Sequence, residues 1–515
     1  MTFNLAEKLD EYAEELGLEK SLAEAIENAE NKDIPYLLKR IAEEPQTEIE
    51  RSIYIEQLSK KTGVAKRSIN ADLKRLMPLP SNEEGKVEKT ALFEGLIDIV
   101  TDDDDQVTFL VKEGDLLITK REHCSNDKPC VIPPEKKQLP FDLIRSKEII
   151  KYYENDNHQK LFEDIIIYLQ RFSFATDDQF LLLACFVFLT YLQDNPSIKN
   201  LPTIYFYAAP ERGKTRTGKS MTYICYRGIH TIDLRETNIF RFSDRFQSTL
   251  FFDIMDLWKQ IERNNSQDII LLRNERGASV PRVLNPEKGP FDDMTIFKIF
   301  GPTIIASNKD IHTILDTRCI PIDMPNKPDY YENPSPEKAA NIKARLIAWR
   351  ARCLFEPLSE IDVVPEITGR LWEISKPLLQ ICRMLCPKRY DELVATITSI
   401  AKNKKVEKSE SFEAKIIGVI RELFIEATCS ESGTFATIPT SEVLQQINSG
   451  LKSDFQISSQ GFGRKLKAIG IKTTIIGGYS KIEIDKKTLD EFIKQYGLEN
   501  RFQKRTLDDV LNSFR

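Results

Sequence analysis

The spacing of apolar residues predicts helices over the first part of the chain. Between residues 1 and 77, apolar side chains recur every three or four positions, as at Leu5 and Leu9, which is typical of amphipathic helices. Residues 56–76 are expected to form a helix–turn–helix with Gly63 in the turn. Lysines and arginines make this segment basic, so it is either a packing module with a solvated face or a DNA contact.

A strand pattern follows. Short apolar runs bounded by turns, at residues 107–111 and 115–119, predict a small β-rich domain over residues 88–140. Residues 201–325 then alternate strand, loop and helix, which is typical of a parallel sheet. Together with the helical stretches on either side, they predict one α/β core with a helical lid over residues 141–400.

The most apolar run, Phe180–Leu192, has 13 residues. A bilayer-spanning helix needs roughly 20 residues, so we expect a buried helix packed on the sheet. Residues 1–10 carry acidic side chains and no long apolar core, which is unlike a signal peptide. The sequence therefore predicts a cytoplasmic protein without a membrane partner.

The C-terminal region has the predicted elements of a winged helix. A polar, lysine-rich segment over residues 401–411 is expected to be a linker. Residues 412–495 predict three helices and a β-hairpin that turns at Gly477 and Gly478. Residues 496–515 are expected to be a separate tail. The expected fold class is multidomain α/β, with a helical N-terminal region, an α/β core and a C-terminal winged helix.

Composition narrows the class of protein. The chain has 515 residues, of which 41% are hydrophobic and 30% charged, as in globular proteins. A net charge of −6 excludes a uniformly basic nucleic-acid coat but allows local basic surfaces. Nine cysteines follow no regular framework, so we expect reduced thiols. His123, Cys124 and Cys130 share one loop without an evident fourth ligand, which does not favour a zinc site.

A glycine-rich stretch matches the phosphate-binding pattern G-x-x-x-x-G-K-S. Its residues are Gly213, Lys214, Thr215, Arg216, Thr217, Gly218, Lys219 and Ser220. The apolar run at residues 202–207 predicts the strand that precedes such a loop, and a helix can begin at Lys219. Backbone N–H groups at that helix N-terminus would hold phosphate oxygens. By this interpretation Lys219 neutralises the β- and γ-phosphates of ATP, and Ser220 ligates Mg²⁺.

The next predicted strand, residues 249–253, ends in Asp253, which is expected to hold the Mg²⁺ shell. Ile254 follows, at a position where many ATPases place a glutamate that orients water. We take Asp256 as the substitute acid. The alternative is that Asp256 only caps the following helix.

A third predicted strand, residues 302–306, is followed by Asn308. Its amide can hydrogen-bond the attacking water or the γ-phosphate. Arg318 comes ten residues later and can stabilise transition-state charge on the nucleotide of a neighbouring subunit. Each residue alone has an ordinary structural explanation, but their order after a phosphate loop favours the functional one.

This series of residues resembles the AAA+ ATPase core. Residues 88–390 resemble more closely the helicase part of bacterial primase–helicase proteins of phages, plasmids and integrative elements. The matching stretches are residues 93–100, 257–259, 275–282 and 300–308. The resemblance implies that Asn308 is sensor 1, that Arg318 is an arginine finger, and that Arg370 is the sensor 2 arginine of a helical lid. It also implies a homo-oligomeric ring, such as a hexamer, that translocates along a nucleic-acid strand.

The insert between the second and third strands suits a pore hairpin for single-stranded DNA. Its candidate phosphate contacts and stacking residues are Arg276, Arg282, Lys288, Lys298, Phe291 and Phe297. The alternative for each is a structural hairpin with surface charges.

The predicted winged helix offers a second basic surface. Its third helix carries Arg464, Lys465 and Lys467, and its hairpin adds Lys472 and Lys481. These residues are candidate contacts to duplex DNA. Many winged helices bind only protein, which is the alternative.

Together these features predict an ATP- and Mg²⁺-dependent, ring-forming DNA helicase or translocase for the replication of mobile elements. The sequence shows no acidic metal-binding set of a primase polymerase, so a separate primase is an expected partner. One alternative is a nucleic-acid-stimulated AAA+ ATPase in an anti-phage defence complex. Another is a non-hydrolysing origin-binding or assembly scaffold, which Ile254 favours.

Overall fold

The computed structural model covers two compact units, residues 1–88 and 89–515. The residues it describes are 22–43, 48–76, 88–125, 128–173, 175–289, 292–309, 311–325, 331–428, 434–449 and 456–499. The helix expected before residue 22 and the tail from residue 500 lie outside the described residues. Within the described ranges, no helix combines the length and apolar character needed to span a bilayer.

The first unit is helical where it is described. Its elements are α1 (Leu22–Glu27), a 3-10 turn (Asn31–Asp33), α2 (Ile34–Glu43), α3 (Glu48–Thr62) and α4 (Lys66–Leu76). Gly63 has a φ of +73° in the turn between α3 and α4, a conformation that favours glycine. Leu58 and Leu73 share one buried core, while Lys66 and Arg67 are exposed. Two helices and a turn thus occupy the segment expected to form a helix–turn–helix.

Short strands begin at the boundary between the two units. They are β1 (Glu88–Lys89), β2 (Leu96–Thr101), β3 (Val107–Glu113), β4 (Leu116–Lys120), β5 (His123–Ser125) and β6 (Lys128–Ile132). β2, β3 and β4 form an antiparallel sheet, and β1, β6 and β5 form another sheet. Cys124 on β5 and Cys130 on β6 are joined by a disulfide bond. The expectation of reduced thiols is wrong for this pair.

Buried arginines join the β-rich segment to the rest of the second unit. Arg227 is fully buried, and its Nε donates to a carboxylate oxygen of Asp98 on β2 at 2.8 Å. Arg350 donates to the backbone carbonyl of Ile97 at 2.7 Å and to the carboxylate of Asp194 at 2.6 Å. A buried charge is tolerated only when it is paired and hydrogen-bonded, so these contacts specify how β2 packs on the core.

A parallel sheet forms the centre of the second unit. The strands from residue 201 onward are β7 (Thr203–Tyr207), β8 (Ile229–Thr231), β9 (Leu250–Asp253), β10 (Ser279–Val283), β11 (Met294–Lys298), β12 (Thr303–Ser307) and β13 (Cys319–Asp323). Five of them pair in parallel in the order β13-β7-β12-β9-β8, and β10 and β11 form a separate antiparallel hairpin. The mixed α/β fold with a parallel sheet is confirmed, as are the three strands predicted at residues 202–207, 249–253 and 302–306.

Helices cover this sheet and extend beyond it. Before β7 come α5 (Ser146–Asn155), α6 (His158–Gln170) and α7 (Asp177–Thr190). Among the strands lie α8 (Lys214–Ile224), α9 (Glu236–Phe246), α10 (Leu257–Arg263), α11 (Gln267–Leu272) and α12 (Thr313–Asp316). They are followed by α13 (Pro336–Cys353), α14 (Gly369–Leu385) and α15 (Tyr390–Ser409). Every residue of α7 from Phe180 onward is buried, as expected of the most apolar run.

The C-terminal elements follow α15 with almost no break. Residues 401–409, expected to be a linker, are the last turns of that helix. The remaining elements are α16 (Phe412–Thr428), β14 (Phe435–Pro439), α17 (Thr440–Ser449), α18 (Ser459–Ile469), β15 (Thr473–Ile476), β16 (Tyr479–Asp485) and α19 (Lys486–Gln495). The sheet order is β14-β16-β15, and Ile417, Leu466 and Ile482 belong to one core. The three helices and the hairpin expected from the sequence are present.

Helix α8 approaches the sheet closely at Gly218. A Cβ atom built on Gly218 would lie 2.2 Å from a ring carbon of Phe251 on β9. Phe251 is fully buried in a close-packed interior, so its ring has little room to move. Glycine at position 218 therefore allows α8 to pack directly over β9.

Replacing Gly218 with alanine should destabilise the protein, because overpacking a filled core costs about 1–3 kcal/mol. Gly418 in α16 is the matched control, since no atom lies within 4 Å of a Cβ built there. Gly418→Ala should be neutral or should stabilise by up to about 1 kcal/mol, because alanine is the better helix former. Chemical denaturation measures both effects, and wild-type stability of Gly218→Ala would contradict the close contact.

Candidate functional site

The carboxyl ends of three parallel strands meet at one edge of the sheet. β7 ends at Tyr207 and β9 at Asp253, while β12, which lies between them, ends at Ser307. In open α/β sheets such an edge is a common place for ligands, because loops from neighbouring strands face one crevice. A cavity of about 1060 Å³ opens here, and its lining includes residues 209–213, Lys214, Asp253 and Asn308.

The loop after β7 is shorter than the sequence pattern predicts. Helix α8 begins at Lys214, and Gly213 is its N-cap residue with a φ of +79°. Residues 208–213 therefore form the loop, while residues 214–220 are helical. The expectation that the helix begins at Lys219 is wrong, because Lys219 lies in the second turn of α8.

This register removes Ser220 from the candidate Mg²⁺ ligands. Its side chain is buried, and its hydroxyl donates to the backbone carbonyl of Thr217 at 2.8 Å. A hydroxyl that is buried inside the helix packing cannot reach an ion in the cavity. Lys219 is partly buried and also lines the cavity, and Gly218 is accounted for by its close approach to Phe251. Residues 213–220 match G-x-x-x-x-G-K-S in sequence, but they do not form one loop. Gly213 caps the helix, Gly218 packs on the sheet and Ser220 is buried.

Lys214 occupies the position at which a phosphate-binding lysine is needed. Its Nζ donates to the backbone carbonyls of Ala208 at 2.6 Å and Ala209 at 2.7 Å. Burial lowers the pKa of the Lys214 ammonium, and the nearby Asp253 carboxylate opposes that effect. Gly213 at the N-cap offers no side-chain acceptor to the first N–H groups of α8. A chain of phosphates fits this positive, donor-rich helix end.

Thr215 provides the hydroxyl that Ser220 cannot. It is exposed in the first turn of α8 and lines the cavity, as does Arg216. Residues 208–215 accordingly have the pattern A-x-x-x-x-G-K-T, a phosphate loop with alanine in place of its first glycine. A search that allowed this one substitution would have found the loop from the sequence.

Of the two carboxylates expected at the cavity, those of Asp253 and Asp256, the structure places one in the lining. Asp253 lines the cavity, but Asp256 is not among the described lining residues. The Asp256 carboxylate accepts a hydrogen bond from Lys309 Nζ at 2.6 Å, which lowers the pKa of Asp256. Another nearby acid, Glu262 on α10, accepts a hydrogen bond from the indole N–H of Trp258 at 2.7 Å. Two of the described residues that line the cavity carry a carboxylate. They are Asp253 and Glu211, which lies in the loop before α8.

Asn308 lines the cavity, whereas the two candidate arginines do not appear among its described lining residues. Arg318 follows α12 and donates to the backbone carbonyl of Ile314 at 3.0 Å. Partial burial lowers the pKa of Arg318, and the positive charge of Arg370 lowers it further. Arg370 is exposed at the start of α14. The charges of Arg318 and Arg370 thus interact, and neither arginine is among the described residues that line the cavity.

The insert forms the β10–β11 hairpin, but several of its candidate residues have structural contacts. Arg276 donates to the carbonyls of Ile198 and Gln193. Phe297 is buried against Phe240, with ring centroids 4.4 Å apart. The expectations that Arg276 binds phosphates and that Phe297 stacks on bases are therefore wrong.

The side chains of the remaining candidate residues of the insert are more exposed, where they are described. Arg282 forms an ion pair with Glu236, and its side chain is partly exposed. Lys288 is exposed in a 3-10 turn, Pro286–Lys288, beyond β10, and Lys298 is exposed on β11. Phe291 lies outside the described residues.

The C-terminal basic residues lie on two adjoining elements. Arg464 and Lys467 are exposed on α18, and Lys481 is on β16. Lys465 differs from them, since its Nζ lies 3.7 Å from the Glu413 carboxylate and 4.9 Å from the ring centre of Phe412. Lys465 therefore packs against α16, and Arg464 and Lys467 are the better placed for an external partner.

Three solved structures show distant likenesses to this chain. No protein-family model matches the sequence, and no curated protein matches it. Among solved structures, the SCCmec type IV Cch active helicase aligns at 12% identity over 84% of this chain and 85% of that chain, with a TM-score of 0.33. The apo C-terminal region of NrS-1 aligns at 11% identity over 77% and 99%, with a TM-score of 0.29. The Drosophila ORC bound to DNA aligns at 12% identity over 73% and 96%, with a TM-score of 0.18. Scores this low do not establish a shared fold, so function must be argued from the residues.

Proposed function

We propose that this chain is an ATP-dependent DNA helicase or translocase that works as a ring. The observation that carries the proposal is the convergence of loop 209–213, Lys214, Asp253 and Asn308 on one cavity. A strand, a glycine-containing loop and a helix N-terminus lead into that cavity, in the order that phosphate binding requires.

In this proposal residues 208–215 hold the phosphates of ATP. N–H groups of the loop and of the first turn of α8 donate to phosphate oxygens, and Lys214 neutralises charge at the β- and γ-phosphates. Thr215 and Asp253 would hold Mg²⁺, because hydroxyl and carboxylate oxygens suit this hard cation. Bound Mg²⁺ would neutralise charge that develops during phosphoryl transfer.

Lys214→Ala should abolish ATP binding, whereas Lys219→Ala should leave it within a few-fold of wild type. The reason is that Lys214 is the first residue of α8, beside the N–H groups of its first turn, whereas Lys219 lies in the second turn. Titration with a fluorescent ATP analogue measures the affinities, and hydrolysis with and without single-stranded DNA tests the coupling. Loss of binding in Lys219→Ala alone would restore the loop to residues 213–220 and overturn this assignment.

Glu211 is the acid that we propose to orient the attacking water, in place of Asp256. It is exposed in the loop, lines the cavity and has a φ of +67°. A residue other than glycine in this conformation costs on the order of 1 kcal/mol or more, and such strain is often kept at functional sites. Asp256 is engaged by Lys309, and the usual position after Asp253 holds the buried Ile254.

Glu211→Gln should therefore bind ATP normally but hydrolyse it about 100-fold more slowly, the contribution typical of a positioned acid or base. Asp256→Asn is the matched control, since it removes a partly exposed carboxylate that is not among the described residues lining the cavity. Single-turnover phosphate release separates hydrolysis from binding. If Asp256→Asn is the slow variant and Glu211→Gln is not, Asp256 is the substitute acid after all.

We further propose that Arg318 and Arg370 act together on the nucleotide of a neighbouring subunit. Neither is among the described residues lining the cavity of its own subunit, and the charge of one perturbs the other. Two arginines on one surface suit the γ-phosphate presented by an adjacent copy. This assigns Arg370 to the subunit interface, whereas a sensor 2 arginine is often expected to serve its own nucleotide.

Mixing inactive variants tests this assignment. Arg318→Ala and Arg370→Ala should each lose about 10³-fold or more in hydrolysis, as arginine fingers do elsewhere. Each should regain activity when mixed with Lys214→Ala, because some interfaces then combine an intact loop with both arginines. Mixed with each other, the two arginine variants should stay inactive, since no subunit supplies both residues. Recovery in that mixture would show that Arg370 serves its own subunit.

The DNA-acting part of the proposal rests on two surfaces. The β10–β11 hairpin, with Arg282 and Lys288, would contact single-stranded DNA within the ring. The elements α16 to α19 with the β14-β16-β15 sheet have the order of a winged helix, and α18 carries Arg464 and Lys467 on its exposed face. We also propose that the ring is a homo-hexamer, that a separate primase is its partner, and that it acts in the replication of mobile elements.

One alternative is favoured by a specific observation. Ile254 is buried and Asp256 is paired with Lys309, as a non-hydrolysing assembly scaffold would allow. Such a scaffold would bind ATP through Lys214 but would not turn it over when single-stranded DNA is added. A motor, whether it serves replication or an anti-phage defence complex, would be stimulated.

A further inference from the structure

The hairpin formed by β15 and β16 extends beyond the core of the C-terminal domain. Ile482 on β16 is fully buried and pairs with Thr473, but residues 472–480 are all exposed. Gly477 and Gly478 have φ values of 62° and 85°, which gives the tight two-residue turn that matches strand twist. The four paired positions from Thr473 to Ile476 project on the order of 10 Å from the core at the usual strand rise.

The tip of this hairpin is apolar. Ile475 is 81% exposed and Tyr479 is 74% exposed, and Ile476 is paired directly with Tyr479 across the turn. Ile476 and Tyr479 share one face of the hairpin and Ile475 lies on the other, because successive side chains of a strand alternate. Isolated exposed apolar residues are common, but here apolar side chains cover both faces of one narrow projection.

The surroundings of the tip are basic. Residues 455–482 contain Arg464, Lys465, Lys467, Lys472 and Lys481 and no aspartate or glutamate. The first carboxylate after them, that of Glu483, accepts a hydrogen bond from the Thr474 hydroxyl at 2.8 Å. Residues 455–482 are therefore a local reversal of charge in a chain whose net charge is −6. An apolar tip within a cationic surface is complementary to a nucleic acid, whose base faces are apolar and whose backbone is anionic.

The shape selects which part of a nucleic acid the tip can meet. In intact duplex DNA the base faces are stacked, and the grooves present mainly base edges and phosphates. Base faces become accessible at the end of a duplex, where single and double strands meet. Apolar side chains that enter base steps in other proteins act as wedges that unstack bases.

We propose that Ile475, Ile476 and Tyr479 form a wedge that packs on the terminal base pair of DNA at a junction between duplex and single strand. Arg464, Lys467, Lys472 and Lys481 would hold the phosphates of the duplex beside it. This inference rests on the proposed action on DNA, and it adds a substrate preference for forked over continuous duplex.

The test uses the full chain and a forked DNA with 2-aminopurine at the junction base pair. The wild type should increase 2-aminopurine fluorescence at the junction and should bind the fork more tightly than a blunt duplex of equal length. Ile475→Ser combined with Tyr479→Ser should raise the Kd for the fork about tenfold, the effect expected from losing one stacked base, and should abolish the fluorescence change. Its affinity for continuous duplex should not change.

Phe435→Ser is the matched control. Phe435 is also an exposed apolar residue on this sheet, but it pairs with Asp485, at the end of β16 opposite to the tip. This variant should bind the fork as the wild type does. Arg464→Ala combined with Lys467→Ala should instead weaken fork and duplex binding alike and reduce the salt dependence of both.

The outcomes separate this inference from the proposed function. If the tip variant keeps the fork preference and the fluorescence change, the wedge is wrong while DNA binding and DNA-stimulated hydrolysis stand. If the tip variant changes only the oligomeric state measured by light scattering, the tip is a contact between copies of this chain, and the wedge is again wrong. If the wild type binds no DNA at all, the proposed function itself fails.

Discussion

The candidate site depends on how closely one helix approaches the sheet. Helix α8 passes over β9 at Gly218, where a side chain would collide with the buried ring of Phe251. This contact fixes the distance between the helix and the strand that ends in Asp253. The start of α8, with Gly213 and Lys214, is thereby held beside Asp253 at one cavity. A larger residue at position 218 would move the start of α8 away from Asp253, so packing and the geometry of the proposed phosphate site are one constraint.

A second constraint positions the insert. Arg273 is fully buried at the end of α11, and burial lowers its pKa to about 9. Its guanidinium donates to the carbonyl of Ile299 at 3.1 Å and to the hydroxyl of Thr303 at 3.1 Å. These atoms lie where the chain leaves the β10–β11 hairpin and enters β12. The hairpin base is therefore tied to one end of β12, and Asn308 follows the other end, so a single strand connects the proposed DNA contact with the cavity.

The sequence was sufficient where a local pattern decides the structure. Apolar runs that end in a polar residue located Asp253 and Asn308 correctly at strand ends, because a buried strand must reach the surface before a charged or amide side chain is tolerated. The start of α8 was misplaced for a physical reason. Gly213 serves a backbone with positive φ and Gly218 serves close packing, and their spacing imitates a phosphate loop that is shifted by five residues.

Contacts between distant residues were beyond the reach of such patterns. The Lys309–Asp256 pair joins positions 53 residues apart, and it decides that Asp256 is engaged outside the cavity lining. The disulfide between Cys124 and Cys130 depends on the pairing of β5 with β6, which spacing alone does not reveal. Arg318 and Arg370 were each noticed separately, but only the fold shows that they lie near each other. The sequence identified candidate residues, and three-dimensional proximity determined how they are grouped.

A contact between α15 and the end of α12 connects the C-terminal elements to the proposed subunit interface. α15 runs without interruption to Ser409, and α16 begins at Phe412. Near the end of α15, the Lys404 ammonium donates to the backbone carbonyl of Asp316 at 2.7 Å and also contacts the Asp316 carboxylate. Asp316 is the last residue of α12 and precedes Arg318 by two positions. In the proposed ring, hydrolysis requires Arg318 from the adjacent subunit. The helix that leads to the elements proposed to contact DNA is therefore hydrogen-bonded to the segment that carries this arginine. The proposed contact with DNA and the proposed completion of the neighbouring site would then share a mechanical link that does not pass through the nucleotide.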